Sequence, residues 1–195
     1  MRTETVNVYK FDELSEKAKE KARQWYRQAG ESDQWWDGVF EDVRDIAKLM
    51  GVEIERIGFS GFSCQGDGAH FVGSFKYAPG AAKAVAGYAP KDEAVQRIAK
   101  EWQALQAANF YKLTGTVKHS GHYQHENCTV FEVKRLDTWA SSDVEDAVEE
   151  VMRDFMRYIY RRLEKEYDWL NEDSQVDASI LGNEYEFKAN GEFYK

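Results

Sequence analysis

Several things are scarce in this chain of 195 residues, and each scarcity excludes something. There are two cysteines, Cys64 and Cys128, too few for a disulfide framework, and in a reducing compartment they are expected as free thiols. Two prolines, with 43% hydrophobic and 31% charged residues, suit one compact domain. No run approaches the roughly 20 apolar residues of a membrane span, and the opening "MRTETVNVYKFDEL" lacks the apolar stretch of a signal peptide. A cytoplasmic protein without a membrane partner is the expectation. Positive charge is also short: 26 Lys and Arg against 35 Asp and Glu give −9 at pH 7. That balance argues against direct, sequence-independent binding of nucleic acid, which needs clustered Lys and Arg. The expected partner is a protein with a basic surface.

What is present is a sequence of alternating textures. Around Val6 and Val8 the chain alternates; Asp12 then stands where it would cap a helix carrying Leu14, Ala18, Ala22 and Trp25, with Gly30 as its stop. A second helix is expected from Ser32 or Asp33 to Gly51, with Trp36, Val39, Phe40, Val43, Ile46, Ala47 and Met50 on one face, completing an N-terminal helical pair over 1–51. Residues 52–135 read as two hairpins with an intervening helix. The first turns at "QGDG", where glycine accepts positive φ and Asp67 bonds nearby backbone. "APGAAKAVAGYAP" reads as a linker, Pro90 and Asp92 open a helix with Val95, Ile98, Trp102 and Leu105 inward, and "FYKLTGTVKH" and "CTVFEVKRL" make the second hairpin. Ser142 and Glu145 fit a capping box opening a long helix over 141–171, and "NEYEFKANGEFYK" places a small hairpin around Asn-Gly over 184–195. The fold class expected is α+β: an antiparallel sheet of about four strands packed against helices, in a single domain over 1–195.

Three constellations bear on chemistry. "HSGHYQHENC" sets His119, His122, His125 and Cys128 three residues apart, and imidazole and thiolate are zinc ligands. Residues three apart on a strand face opposite sides, so a shared ion needs a loop, with Cys64 and His70 as a second segment if the two hairpins lie side by side. The favoured reading is a polar hairpin tip with no cofactor, zinc or another divalent metal being the alternative. "GFSGFSCQGDGAHF" resembles an anion-binding nest of backbone N–H groups but lacks the lysine and hydroxyl of a P-loop. Cys64, a histidine and Asp67 supply the residue types of a cysteine hydrolase without fixing any geometry.

The long helix concentrates acid at Asp143, Asp146, Glu149, Glu150 and Asp154. One helical turn between carboxylates imitates spaced phosphates, although Arg153, Arg157, Arg161, Arg162 and Lys165 follow closely and also suit an ion-paired helix. Trp35 and Trp36 are adjacent, so both cannot enter one core squarely, and tryptophan anchors many interfaces.

"YKFDELSEKAKEKARQWYR", "WWDGVFEDVRDIAKLMGVEI", "FSGFSCQGDGAHFVGSF" and "NFYKLTGTVKHSGHYQHENCTVFEV" together resemble a family of small proteins encoded by bacteriophages and prophages, some labelled antitoxin-like. The likeness covers roughly residues 6–134, and "SGF..QGDGA.F" and "GHY.HE" are its most specific parts. It implies an accessory protein acting inside an infected bacterium. Such proteins often work stoichiometrically against host defence, anti-CRISPR proteins among them. The leading expectation is therefore a non-enzymatic inhibitor that occludes a basic surface of a defence complex through Trp35, Trp36 and the acidic helix. The alternatives are an antitoxin-like module with a phage-encoded partner, and a metal- or cysteine-dependent hydrolase of nucleotides or nucleic acid.

Overall fold

The computed structural model describes residue 2 and residues 5–29 and 34–194. The chain forms two compact units, one from Met1–Trp35 with Lys165–Lys195, the other from Trp36–Glu164.

In the smaller unit, strand β1 (Val8–Lys10) pairs antiparallel with β7 (Glu186–Lys188), Tyr9 facing Phe187. A 3-10 turn over Phe11–Glu13 precedes helix α1 (Glu16–Ala29), so Asp12 lies within that turn and does not cap the helix; the carbonyl of Ser15 accepts from the N–H groups of Ala18 and Lys19. The expected stop at Gly30 and the expected helix start at Ser32 or Asp33 fall outside the described residues. After Asp173 a further helix, α6 (Asp173–Gly182), occupies a stretch for which no element was expected. Ala18, Ala22, Val176, Ile180 and Phe187 form the core, where Trp25 stacks on Phe193 with centroids 3.9 Å apart. Arg23 donates to both carboxylate oxygens of Asp177, at 2.6 and 2.7 Å, tying α1 to α6. The hairpin expected around Asn-Gly is present as a return of the chain, Phe193 bridging to Phe187.

The larger unit is an antiparallel sheet of five strands in chain order, β2 (Val52–Phe59), β3 (Ala69–Phe75), β4 (Leu113–His119), β5 (Thr129–Arg135) and β6 (Thr138–Trp139). The α+β class expected from the sequence is what the structure shows; the sheet has one more strand than expected, because the chain turns at Leu136 and pairs Thr138 and Trp139 with Arg135 and Lys134. Helix α2 (Asp37–Met50) buries Val39, Phe40, Val43, Ile46, Ala47 and Met50 as its periodicity requires and ends on Gly51 at φ 78°. The stretch expected as a linker contains a helix, α3 (Ala81–Tyr88), with Ala81 and Val85 buried. Helix α4 (Glu93–Ala108) is capped by Asp92, which accepts from the Val95 N–H, and its Trp102 donates from Nε1 to the carbonyl of Met50 at 2.8 Å. Helix α5 (Ser142–Leu170) is the longest; its Phe155 meets Phe71 of β3 edge to face. Its first turn is held by the Ser141 carbonyl, which accepts from Val144 and Glu145.

Candidate functional site

The sheet forks at one end. Strands β2 and β3 stay paired as far as Phe59 and Ala69, and β4 and β5 as far as His119 and Thr129. Between them β3 and β4 pair only from Phe75 and Gly115 to Gly73 and Val117. Beyond that point the two hairpins separate, and histidines fill the gap. The imidazoles of His70 and His119 stack with centroids 4.0 Å apart and planes 14° from parallel. The hairpin tips do lie side by side: a Cβ on Gly58 would fall 2.5 Å from both the His70 ring and Gln124 Oε1, and one on Gly68 would fall 3.1 Å from His125. At Gly58 the missing Cβ leaves the space that the His70 ring and the Gln124 amide occupy.

His70 is fully buried, and neither ring nitrogen has a hydrogen-bond partner among the described residues. Burial, then the His119 ring, then Arg56 push its pKa down to about 4; the nearby backbone of Gln124 opposes this, lying outside hydrogen-bond geometry yet close enough to favour the protonated ring. The His119 Nε2–H donates to the carbonyl of Tyr123 at 2.9 Å. His125 Nδ1 accepts from the Asn127 N–H at 3.2 Å and lies 3.0 Å from Glu126, an ion pair only when the ring is protonated. His122 is exposed, beside Tyr123. The histidines are thus gathered at one place but employed separately. Stacked rings direct their nitrogen lone pairs along parallel planes, which cannot meet at one tetrahedral ion. Among the described residues no group of three His, Cys, Asp or Glu side chains could hold a metal ion.

Neither thiol is engaged with a base among the described residues. Cys64 is exposed in the β2–β3 turn and Cys128 is half-buried, and neither is hydrogen-bonded to a histidine among the described residues. Asp67 accepts from the N–H groups of Ser63 and Cys64 at 2.9 and 2.6 Å, and these bonds hold its carboxyl below the usual carboxylate range. The backbone donors that looked like an anion cradle already serve this carboxylate.

On α5 the acidic residues divide into two groups. Glu149 pairs with Arg153 at 2.7 Å, Glu150 with Arg157 at 2.7 Å, and Asp154 with Arg157 and Arg97 at 2.6 and 3.1 Å. Asp143 and Asp146 are exposed and make no ion pair among the described residues. With Glu150, whose side chain is 69% exposed, they fall at i, i+3 and i+7, a stripe on one helix face. The tryptophans do not share a helix: α2 begins after them, and both are half-buried, Trp35 against Tyr167 at 5.6 Å and Trp36 against Phe59 at 5.4 Å.

The other end of the sheet carries a feature that sequence pattern did not mark. Phe110, Tyr111 and Leu136 adopt positive φ, at 58°, 60° and 59°. All three are exposed, Phe110 at 76% and Leu136 at 63%. The strand expected in "FYKLTGTVKH" starts only at Leu113, so Phe110 and Tyr111 lie outside it. The adjacent aromatic pair after Asn109 was the available signal.

Fold and site together define an α+β protein whose open sheet is built from two hairpins with a histidine-filled fork. Residues 35–173 match the family described as "Domain of unknown function (DUF8835)", and the chain belongs to that family. No curated protein and no solved structure matches the chain.

Proposed function

We propose that the protein is a phage-encoded, non-enzymatic binding protein. It acts in the cytoplasm of an infected bacterium by covering a basic, nucleic-acid-binding surface of a defence complex. The observation that carries this reading is the stripe Asp143, Asp146, Glu150. Asp143 and Asp146 stand exposed and make no ion pair among the described residues, and the three span about 10 Å of helix at a rise of 1.5 Å per residue. Carboxylates held so are matched to a row of Lys and Arg that ordinarily holds phosphates, and they steer encounter with it. Within the acidic cluster Glu149, Glu150 and Asp154 all pair with arginines of the same chain, so this reading rests the contact chiefly on Asp143 and Asp146. Trp35 and Trp36 are half-buried, each against a ring of its own unit, and this reading does not rest on them.

A hydrolase reading needs the hairpin tips to meet, and they do. It finds weaker support there, because His70 and His119 stack on one another and neither thiol is hydrogen-bonded to a histidine among the described residues.

The test is phage plating on a bacterium with a nucleic-acid-guided defence complex. Expression of the chain is expected to restore plating of a restricted phage. The double variant Asp143→Lys, Asp146→Lys is expected to bind the complex about tenfold or more weakly and to lose the rescue. Glu149→Gln is expected to retain it. A folded double variant that still rescues, or a wild-type chain that rescues against none of the complexes tried, would contradict the proposal.

A further inference from the structure

Phe110, Tyr111 and Leu136 belong to one surface at the open end of the sheet. The Leu136 N–H donates to the carbonyl of Lys112, and the Tyr111 ring packs on Tyr77, which follows β3, with centroids 4.6 Å apart. Trp139 of β6, 67% exposed, lies under the Lys134 ammonium at 5.1 Å. Around these rings stand Lys76, Lys112, Lys134 and Arg135, all exposed. None makes an ion pair among the described residues, whereas Lys118 on the same sheet pairs with Glu132 at 2.5 Å.

The backbone under Phe110 and Tyr111 is costly for such residues, since positive φ suits glycine or asparagine and is an outlier for a bulky side chain. It is nevertheless enforced. The fully buried Gln106 accepts from the Leu113 N–H at 3.2 Å and donates to the Leu113 carbonyl at 3.0 Å, and the Asn109 carbonyl accepts from Lys112. The chain is held in a turn that turns two aromatic rings outward, where asparagine would sit without strain. Strain retained in this way clusters at ligand clamps, switches and active sites.

We propose that this end of the sheet binds single-stranded nucleic acid, bases stacking on Phe110, Tyr111 and Trp139 and phosphates meeting Lys112, Lys134 and Arg135. Exposed rings interleaved with unpaired cations are what a sequence-tolerant strand-binding surface needs. The net charge of −9 does not oppose it at close range, because screening at physiological salt confines each charge to about 8 Å. Asp137 is the one carboxylate within the β5–β6 turn. The reading goes beyond the blocking activity proposed above and rests on different residues.

The test is fluorescence anisotropy of the full chain with a labelled oligothymidine of about 12 nucleotides, within the footprint of single-strand binders. Saturable binding is expected, weakening as salt rises from about 50 to about 200 mM. Phe110→Asn with Tyr111→Asn is expected to reduce affinity about tenfold or more without lowering the melting temperature, because asparagine accepts the turn. Lys112→Glu with Arg135→Glu is expected to abolish binding. Three results would overturn the proposal: no binding at low salt, equal binding of a duplex of the same length, or undiminished binding by the asparagine variant. Capture of polyglutamate without the oligonucleotide would assign the surface to an acidic polypeptide and overturn it equally.

Discussion

A single side chain, His70, shows how the hairpin fork couples packing to pH. A buried imidazole without partners is stable only as the neutral ring, and the unfolded chain offers an ordinary histidine at 6.5 against about 4 in the fold. Between those values the unfolded chain binds the extra proton, so stability rises with pH across the window. It is complete above 6.5 and lost as pH falls towards 4. The difference amounts to at most about 3 kcal/mol. His70→Gln is expected to flatten the dependence of urea-unfolding stability on pH between 6.5 and 4, whatever it does to stability at pH 7. A slope unchanged by the substitution would show that other groups carry it. The stack itself was not legible beforehand. His70 and His119 belong to different hairpins, and sequence spacing within "HSGHYQHENC" directed attention to neighbours along the chain, while the structure selects a neighbour across the fork.

Among the elements, the α4–β4 corner makes the clearest demand on one residue. Gln106 satisfies both backbone groups of Leu113 in the interior, and each would otherwise be buried unpaired. Gln106→Met preserves volume and removes both bonds, so a loss of about 3 kcal/mol is expected in urea unfolding. A loss under about 0.5 kcal/mol would mean that the corner relaxes and that the strained turn is not enforced as described. The same element scale explains which helices sequence pattern could find. Helix α2 was legible because six buried residues recur on one face, and α4 because Asp92 caps it visibly. Helix α3 was hidden by flanking Pro79 and Pro90 and by an alanine-rich composition with little side chain to pattern. Helix α6 buries only Val176 and Ile180, too few positions to display a period. The turn at Leu136 and the short β6 were missed because a leucine at positive φ gives none of the usual Gly or Asn signals.

At the scale of the whole molecule, charge is sorted. The acidic stripe on α5 and the cationic, aromatic end of the sheet are built from different residues, and many other charged residues are tied into pairs such as Arg162 with Asp42 and Arg23 with Asp177. A formal charge of −9 therefore describes neither surface. The sequence marks where acid clusters along α5. It could not reveal which carboxylates are committed to arginines of the same chain, since that depends on the facing of Arg153 and Arg157 along one helix and of Arg97 on another. No helix is long and apolar enough to cross a membrane among the described residues. As proposed, the protein acts by occupying a surface and performs no turnover. The most direct measurement is titration of the purified chain into a fixed amount of a nucleic-acid-guided defence complex, followed by the residual nuclease activity. The account predicts a linear decline that ends near one chain per complex, reached at once and reversed when the chain is removed. Inhibition that deepens with time at a small fraction of that ratio, and persists after removal, would contradict it.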